Sequence, residues 1–215
     1  MCMRGIELEI YSVTKRLIDI VVSVLALVVL FPIFLFIGVL IKLDSQGPVF
    51  FLQDRLGLGG KPFKVFKLRS MYLGAEKLGV YEQKDDPRVT RVGKFIRPLS
   101  INELPQFINI LKGDMSLIGP RPVLPDHPWD WSQATELQCK RFRVRPGLTG
   151  WAAVNGRKNV SWEMRTQYEA EYAENMSLKF DLLILTKTIR VVLSMKDGYN
   201  KDIPDKADSS NDKHS

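Results

Sequence analysis

The sequence predicts an α+β, mainly helical protein, in which a compact cytosolic domain follows an N-terminal, Pro-broken, re-entrant membrane helix. Three observations predict it. An uncharged apolar run, IVVSVLALVVLFPIFLFIGVLI, fills Ile20 to Ile41 with Pro32 near its middle. Two β-type runs follow, Val49 to Leu52 and Pro62 to Leu68, with Gly57, Gly59 and Gly60 between them. Helical periodicity then takes over: Leu104, Phe107, Ile108 and Leu111 mark one face, and Leu178 to Leu193 forms a second amphipathic segment.

The apolar run is long enough to cross a hydrocarbon core, for which roughly 20 residues suffice. It is too long for a signal h-region and no small-residue cleavage site follows it. Two geometries compete. Hydropathy alone favours a straight transmembrane helix. Pro32, however, removes an intrahelical hydrogen bond at the centre and predicts a bend. Basic residues flank both ends, Lys15 and Arg16 before and Lys42, Arg55, Lys61, Lys64 and Lys67 after. The positive-inside tendency holds both flanks on the cytosolic side, which a helix that enters, breaks and returns satisfies. Asp19 then sits at the interface, with Arg16 as its expected partner.

The expected organisation is an N-terminal extension over 1–14, the membrane helix over 15–44, one domain over 45–195 and a disordered tail over 196–215, rich in Lys, Asp, Ser and Asn. The formal net charge of +7 points to an anionic partner but cannot choose among nucleic acid, phosphorylated metabolites and acidic lipid. Nucleic acid is disfavoured, because no platform of interleaved aromatic and basic residues stands out. Cys2 and Cys139 give neither a disulfide framework nor metal spacing. With only His127 and His214 present, a zinc centre or a histidine triad is disfavoured as well. The three glycines suggest a phosphate loop, but no Gly-Lys-Ser/Thr follows, and a hairpin turn is the better reading.

The segment LSINELPQ, Leu99 to Gln106, reads in two ways. As structure, Ser100-x-x-Glu103 is a capping box, or Asn102 is the N-cap of a helix running to Leu111, with Pro105 at its third position and Gly113 closing it. As chemistry, it is a helix start surrounded by phosphate-compatible groups. Arg97 precedes it. Arg121 is held between Pro120 and Pro122, a stiff backbone from which to aim a bidentate phosphate contact. Arg143, Arg145 and Arg157 flank the PGLTG loop, and Lys64, Lys67 and Arg69 line the second strand. Each alone reads equally as a solvated cation. Together with a membrane anchor they suggest a diphosphate substrate at a bilayer surface. Such a site is expected to use Mg²⁺, with Glu103 as the first candidate ligand and Asp114 structural. His127, Trp129 and Trp131 form an aromatic cluster that fits either a membrane interface or core packing.

With these residues assembled, the chain resembles the small monotopic phosphoglycosyl transferases, also called bacterial sugar transferases. The resemblance runs from about Lys15 to Leu193 and rests on KRLIDI, KPFKVFKLRSM, DPRVTRVGKFIR, SINELPQFINILKGDMSLIGPRP, RVRPGLTGWAAVNGR and YAENMSLKFDLLIL. It implies transfer of a sugar 1-phosphate from a UDP-sugar to a polyprenol phosphate, typically undecaprenyl phosphate, with release of UMP and use of Mg²⁺. This reaction opens assembly of exopolysaccharide, capsule, O-antigen or glycoprotein glycan at the bacterial inner membrane. It also implies a re-entrant helix broken at a proline, matching Pro32. Arg121, Pro122, Arg145 and Thr149 are placed by resemblance in the nucleotide and phosphate pocket, joined by Arg97, Arg157, Lys67 and Arg69 as candidates. Membrane lipids are implied partners, and homodimerisation is left open. The family's mechanism uses an Asp-Glu pair whose Asp attacks the β-phosphate. Here that Asp aligns with Asn102, and the Glu with Glu103. Ala153 stands where the pattern has Gln, and Glu169 where it has Asp.

Overall fold

The computed structural model describes residues 2–79, 85–156 and 160–193, so the expected tail lies outside the described residues. The chain is mainly helical with two small sheets and one long apolar N-terminal helix. That helix, α1 (Cys2–Asp44), is continuous through Pro32 and shows no break at residue 14. From Glu9 to Asp44 it is apolar enough to cross a membrane, and it is mostly uncovered by protein. Val28, Val29, Phe36 and Leu43 on its outer side are 66–80% exposed.

The opposite side of α1 is bound to the rest of the chain along its length. Near its start, Tyr11 and Lys15 donate to the Asp181 carboxylate at 3.0 and 2.7 Å. Arg16 donates to the carbonyls of Ile110 and Leu111, and Asp19 accepts from the Ser116 hydroxyl and the Leu117 amide. Asp19 and Arg16 therefore do not pair with each other. Each finds backbone groups that local helical spacing cannot reveal. Ala26, Leu27 and Leu30 pack on a core of Val65, Phe107, Ile110 and Met115, whereas Phe34, Ile37 and Ile41, beyond Pro32, pack with Leu68, Ile96 and Ile101. At its end Asp44 accepts from the Val92 amide.

The predicted hairpin is present. β1 (Phe50–Leu56) pairs antiparallel with β2 (Pro62–Leu68), and the glycine turn between them includes Gly59 and Gly60 at positive φ. Strand alternation puts Gln53, Arg55, Val65 and Lys67 on one face and Asp54 and Lys64 on the other. Lys64 pairs with Asp54 in solvent, each side chain 60% exposed. One strand thus carries both a solvated lysine and an inward one.

After the short helix α2 (Arg91–Ile96), the chain enters a 3-10 turn, Ile101–Glu103, and then α3 (Gln106–Lys112), closed by Gly113 at φ 91°. This corrects the capping expectation. Asn102 lies inside the turn, Pro105 occupies the N-cap position of α3, and neither Ser100 nor Pro105 supplies a side-chain cap. Ser100, at φ 56°, reverses the chain before a helix could start at Asn102. Asn109 secures α3 to β2: its amide oxygen accepts from the Phe66 N–H and its amide nitrogen donates to the Lys64 carbonyl.

β3 (Ser116–Ile118) and β4 (Gly147–Thr149) form a parallel pair that local patterning did not reveal. The remaining helices are α4 (Glu136–Cys139), α5 (Trp151–Gly156), α6 (Trp162–Glu174) and α7 (Leu178–Leu193). Trp129 makes edge contacts with Trp131 and Trp162, and the Trp131 indole donates to the Leu124 carbonyl. These half-buried aromatics pack on one another within the fold.

Candidate functional site

Three segments of different origin meet at Glu103. The 3-10 turn supplies Asn102 and Glu103, the inward face of the hairpin supplies Gln53, Arg55 and Lys67, and the segment after β3 supplies Arg121. Ile101, two residues before Glu103, belongs to the same apolar cluster as Phe34, Ile37 and Ile41. The turn, packed on β2 and α2, therefore joins the same apolar cluster as the second half of α1.

Glu103 and Arg121 form a two-pronged ion pair, with nitrogen–oxygen distances of 2.6 and 3.2 Å. The Glu103 side chain is 19% exposed and that of Arg121 49%, so the pair opens to solvent on the arginine side. Burial alone pushes the Glu103 carboxyl up. Arg121, then Lys67 and Arg55, outweigh that and hold it at about 2. Glu103 is ionised at any physiological pH.

Around this carboxylate the cations oppose each other. Burial is the main reason that Lys67 falls to about 7; Glu103 resists the shift, and Arg55, Arg121 and Arg97 add to it. Arg55 is lowered to about 10, first by burial and then by Arg121. Lys67 donates to Gln53 at 3.3 Å, Arg55 to Gln53 and the Pro122 carbonyl, and Arg97 to the Ser70 hydroxyl. Three cations share one carboxylate, with Arg97 adding to the charge beside Lys67, an arrangement that an incoming polyanion stabilises.

Asn102 is 8% exposed, and among the described residues its side-chain amide makes no hydrogen bond. Its burial is thus not explained by capping. Its amide oxygen and the Glu103 carboxylate lie on adjacent residues, and with substrate phosphates they fit the oxygen donors that Mg²⁺ takes. Among the described residues no cluster of three His, Cys, Asp or Glu side chains forms a metal cage of protein alone.

The other candidates separate. Arg69 is 3% exposed and donates to the carbonyls of Ile41, Ser45 and Gln46, closing the end of α1. Arg145 donates to the Gly113 carbonyl at the end of α3. Thr149 shares a hydrogen bond with Thr188 and lines a small cleft with Gly119, Arg121, Ala153 and Glu169. Pro122 contributes its carbonyl to Arg55. Asp114 accepts from the Asn109 amide, a structural contact as expected. Arg157 lies outside the described residues. Sequence reasoning missed Arg55 and Gln53 as site residues, although their period-two alternation on one strand was a usable signal. It also missed Arg141, for which no local signal exists.

The model of the family described as bacterial sugar transferase matches residues 10–195. The chain belongs to this family. It is 46% identical over 189 residues to the UDP-N-acetylgalactosamine-undecaprenyl-phosphate N-acetylgalactosaminephosphotransferase of Aeromonas hydrophila, covering 86% of this chain and 45% of that protein. It is 44% identical over 181 residues to the uncharacterized sugar transferase EpsL of Bacillus subtilis (strain 168), covering 84% of this chain and 88% of that protein. A third relative, the UDP-glucose:undecaprenyl-phosphate glucose-1-phosphate transferase of Escherichia coli (strain K12), is 42% identical over 181 residues, 81% of this chain and 39% of its own length. The chain therefore spans under half of the Aeromonas and Escherichia proteins and most of the Bacillus one.

Proposed function

We propose that this chain transfers a sugar 1-phosphate from a UDP-sugar to a polyprenol phosphate, undecaprenyl phosphate in a bacterial inner membrane, releasing UMP and opening glycan assembly. The observation that carries this reading is the cluster of Arg55, Lys67 and Arg121 around Glu103, with Arg97 beyond Lys67, on a turn that shares an apolar cluster with the long apolar helix. The cations receive the diphosphate, and the helix brings the site to the lipid substrate. Arg121 can exchange Glu103 for a phosphate because its guanidinium is the open half of the pair. A freed Glu103 oxygen attacks the β-phosphorus, the bond to the bridging oxygen breaks, and its electron pair leaves with UMP. A phosphate oxygen of the polyprenol phosphate then attacks the same phosphorus, and the acyl-phosphate bond breaks to restore the carboxylate. Mg²⁺, held by Glu103 and substrate phosphates, would neutralise charge on the departing UMP.

The anchor is read as monotopic. Tyr11 and Lys15 at one end of α1 and Asp44 at the other contact the same domain, which supports a helix that returns to the cytosolic side, bending at Pro32. Cysteine probes at residues 8 and 46 should then both label from the cytosol only; labelling of residue 8 from outside would restore a spanning helix.

Asn102 favours a second reading, a membrane-bound homologue that binds the same ligands without turnover, because a neutral amide is a poor nucleophile. One assay separates the two: UMP release from a panel of UDP-sugars with polyprenol phosphate and Mg²⁺. Activity in the natural chain that falls about a thousandfold in Glu103→Gln supports the transferase. Activity that appears only in Asn102→Asp supports the binding protein.

A further inference from the structure

Arg121 presents its guanidinium to Glu103 from a segment that has little means of holding itself. Pro120 and Pro122 lack N–H groups, so the only backbone donor across Pro120–Arg121–Pro122 is that of Arg121. No sheet ladder can form there, and each polar group of the segment needs its own partner. The Pro120 carbonyl accepts from the Gly147 amide at 2.8 Å, and the Pro122 carbonyl from Arg55 at 3.1 Å. The Arg121 carbonyl accepts from the Arg141 guanidinium at 2.7 Å, and Glu169 lines the same small cleft as Arg121.

Arg141 and Glu169 are themselves an ion pair, 3.0 Å apart, with side chains only 4% and 2% exposed. Arg141 stands in the 3-10 turn Lys140–Arg143 and Glu169 on α6, far from each other in sequence and from Arg121. Burying both charges is expensive, and such a pair is weak evidence for stability in itself. Neither Glu169 oxygen has a hydrogen bond of good geometry, so it is held by charge rather than by a filled shell of donors. Through Arg141 the pair nevertheless reaches the backbone of one residue, and that residue is the direct partner of Glu103.

We propose that Arg141 and Glu169 are positioning residues, a buried clamp on the backbone of Arg121 that sets its guanidinium on Glu103 and on the substrate phosphate that replaces it. The clamp touches no substrate. Its effect runs through Arg121: the two prolines restrict how the segment can swivel, and the pair fixes where it stops. The catalytic consequence rests on the transferase reading above; the geometric one does not.

The test therefore has two arms on the full chain in nanodiscs, using Glu169→Gln, Arg141→Met and, as the reference for a lost guanidinium, Arg121→Ala. In the first arm ¹⁵N-arginine NMR at pH 7 follows the Arg121 guanidinium, assigned by its loss in Arg121→Ala. Held on Glu103, its N–H groups should exchange slowly with water, and that protection should fall about tenfold or more in Arg141→Met and Glu169→Gln. In the second arm UMP release should lose roughly tenfold or more in kcat with KM for the UDP-sugar within about twofold. Neither substitution should lower it further in the Arg121→Ala background, since effects that act through one residue are not additive. A lowered melting temperature with an unchanged Arg121 guanidinium signal would show a merely structural pair and overturn the proposal, as would activity losses that add fully to that of Arg121→Ala. If the natural chain releases no UMP while the guanidinium signal behaves as expected, the transferase reading fails and the clamp stands.

Discussion

Two sets of arginines in this chain have opposite surroundings. Arg16, Arg69 and Arg145 donate to backbone carbonyls at the ends of α3 and α1. Arg55 and Arg121 gather with Lys67 around a single carboxylate, Arg97 stands beyond Lys67, and these cations oppose one another. The first set meets fixed partial negative charge and is satisfied by the fold. The second leaves a positive excess, which an anionic ligand would offset. The difference teaches that a basic composition divides into cations satisfied by backbone carbonyls and cations left in mutual opposition.

The largest expected break in that comparison comes from truncating one member of each set. Arg121→Ala should cut kcat/KM for UMP release by about a hundredfold or more, while leaving the melting temperature nearly unchanged. Arg69→Met should do the reverse. It orphans the carbonyls of Ile41, Ser45 and Gln46, and denaturant unfolding should show a loss of about 2–3 kcal/mol with little change in KM.

A smaller effect follows from Lys67. Its ammonium is held at about 7 instead of 10.5, so it loses its charge as pH rises through neutrality. UMP binding followed by calorimetry should weaken several-fold between about pH 6.5 and 8.5, and binding at the upper pH should take up a proton, because a bound phosphate favours the ammonium. Lys67→Met should flatten both. The stability sign is the opposite one: an unfolded chain binds more protons at this position between about pH 7 and 10.5, so this lysine's unfavourable contribution fades as pH rises through that window. Least affected should be Lys64→Ala, whose pair with Asp54 is solvent-exposed. Stability and UMP release should both stay within experimental error, about 0.5 kcal/mol for the former.

Much of the fold is legible locally. Pro62–Leu68 and Leu178–Leu193 coincide with β2 and α7 residue for residue, and Gly113 closes α3 as its sequence position predicts. The helix before Gly113 is legible only in part. Ser100 takes a left-handed conformation and turns Ile101–Glu103 into a 3-10 turn, which propensity and capping rules assign to the helix. Of the site, Glu103, Arg121, Arg97 and Lys67 were readable as candidates, but Arg69 and Arg145 were equally so and serve helix ends instead.

The amino-acid sequence by itself determined the elements that rest on short-range periodicity and turn chemistry. It also determined the long apolar N-terminal run and the resemblance to the family. Only the tertiary structure decided which cations share Glu103, that Asp19 meets Ser116 and Leu117 rather than Arg16, that β3 and β4 pair in parallel, and that Arg141 and Glu169 close on Arg121. The physical reason is range. Propensity and hydropathy act between near neighbours, whereas the role of a charge is set by distance to groups 20 to 170 residues away, as from Arg121 to Arg141 and from Tyr11 to Asp181.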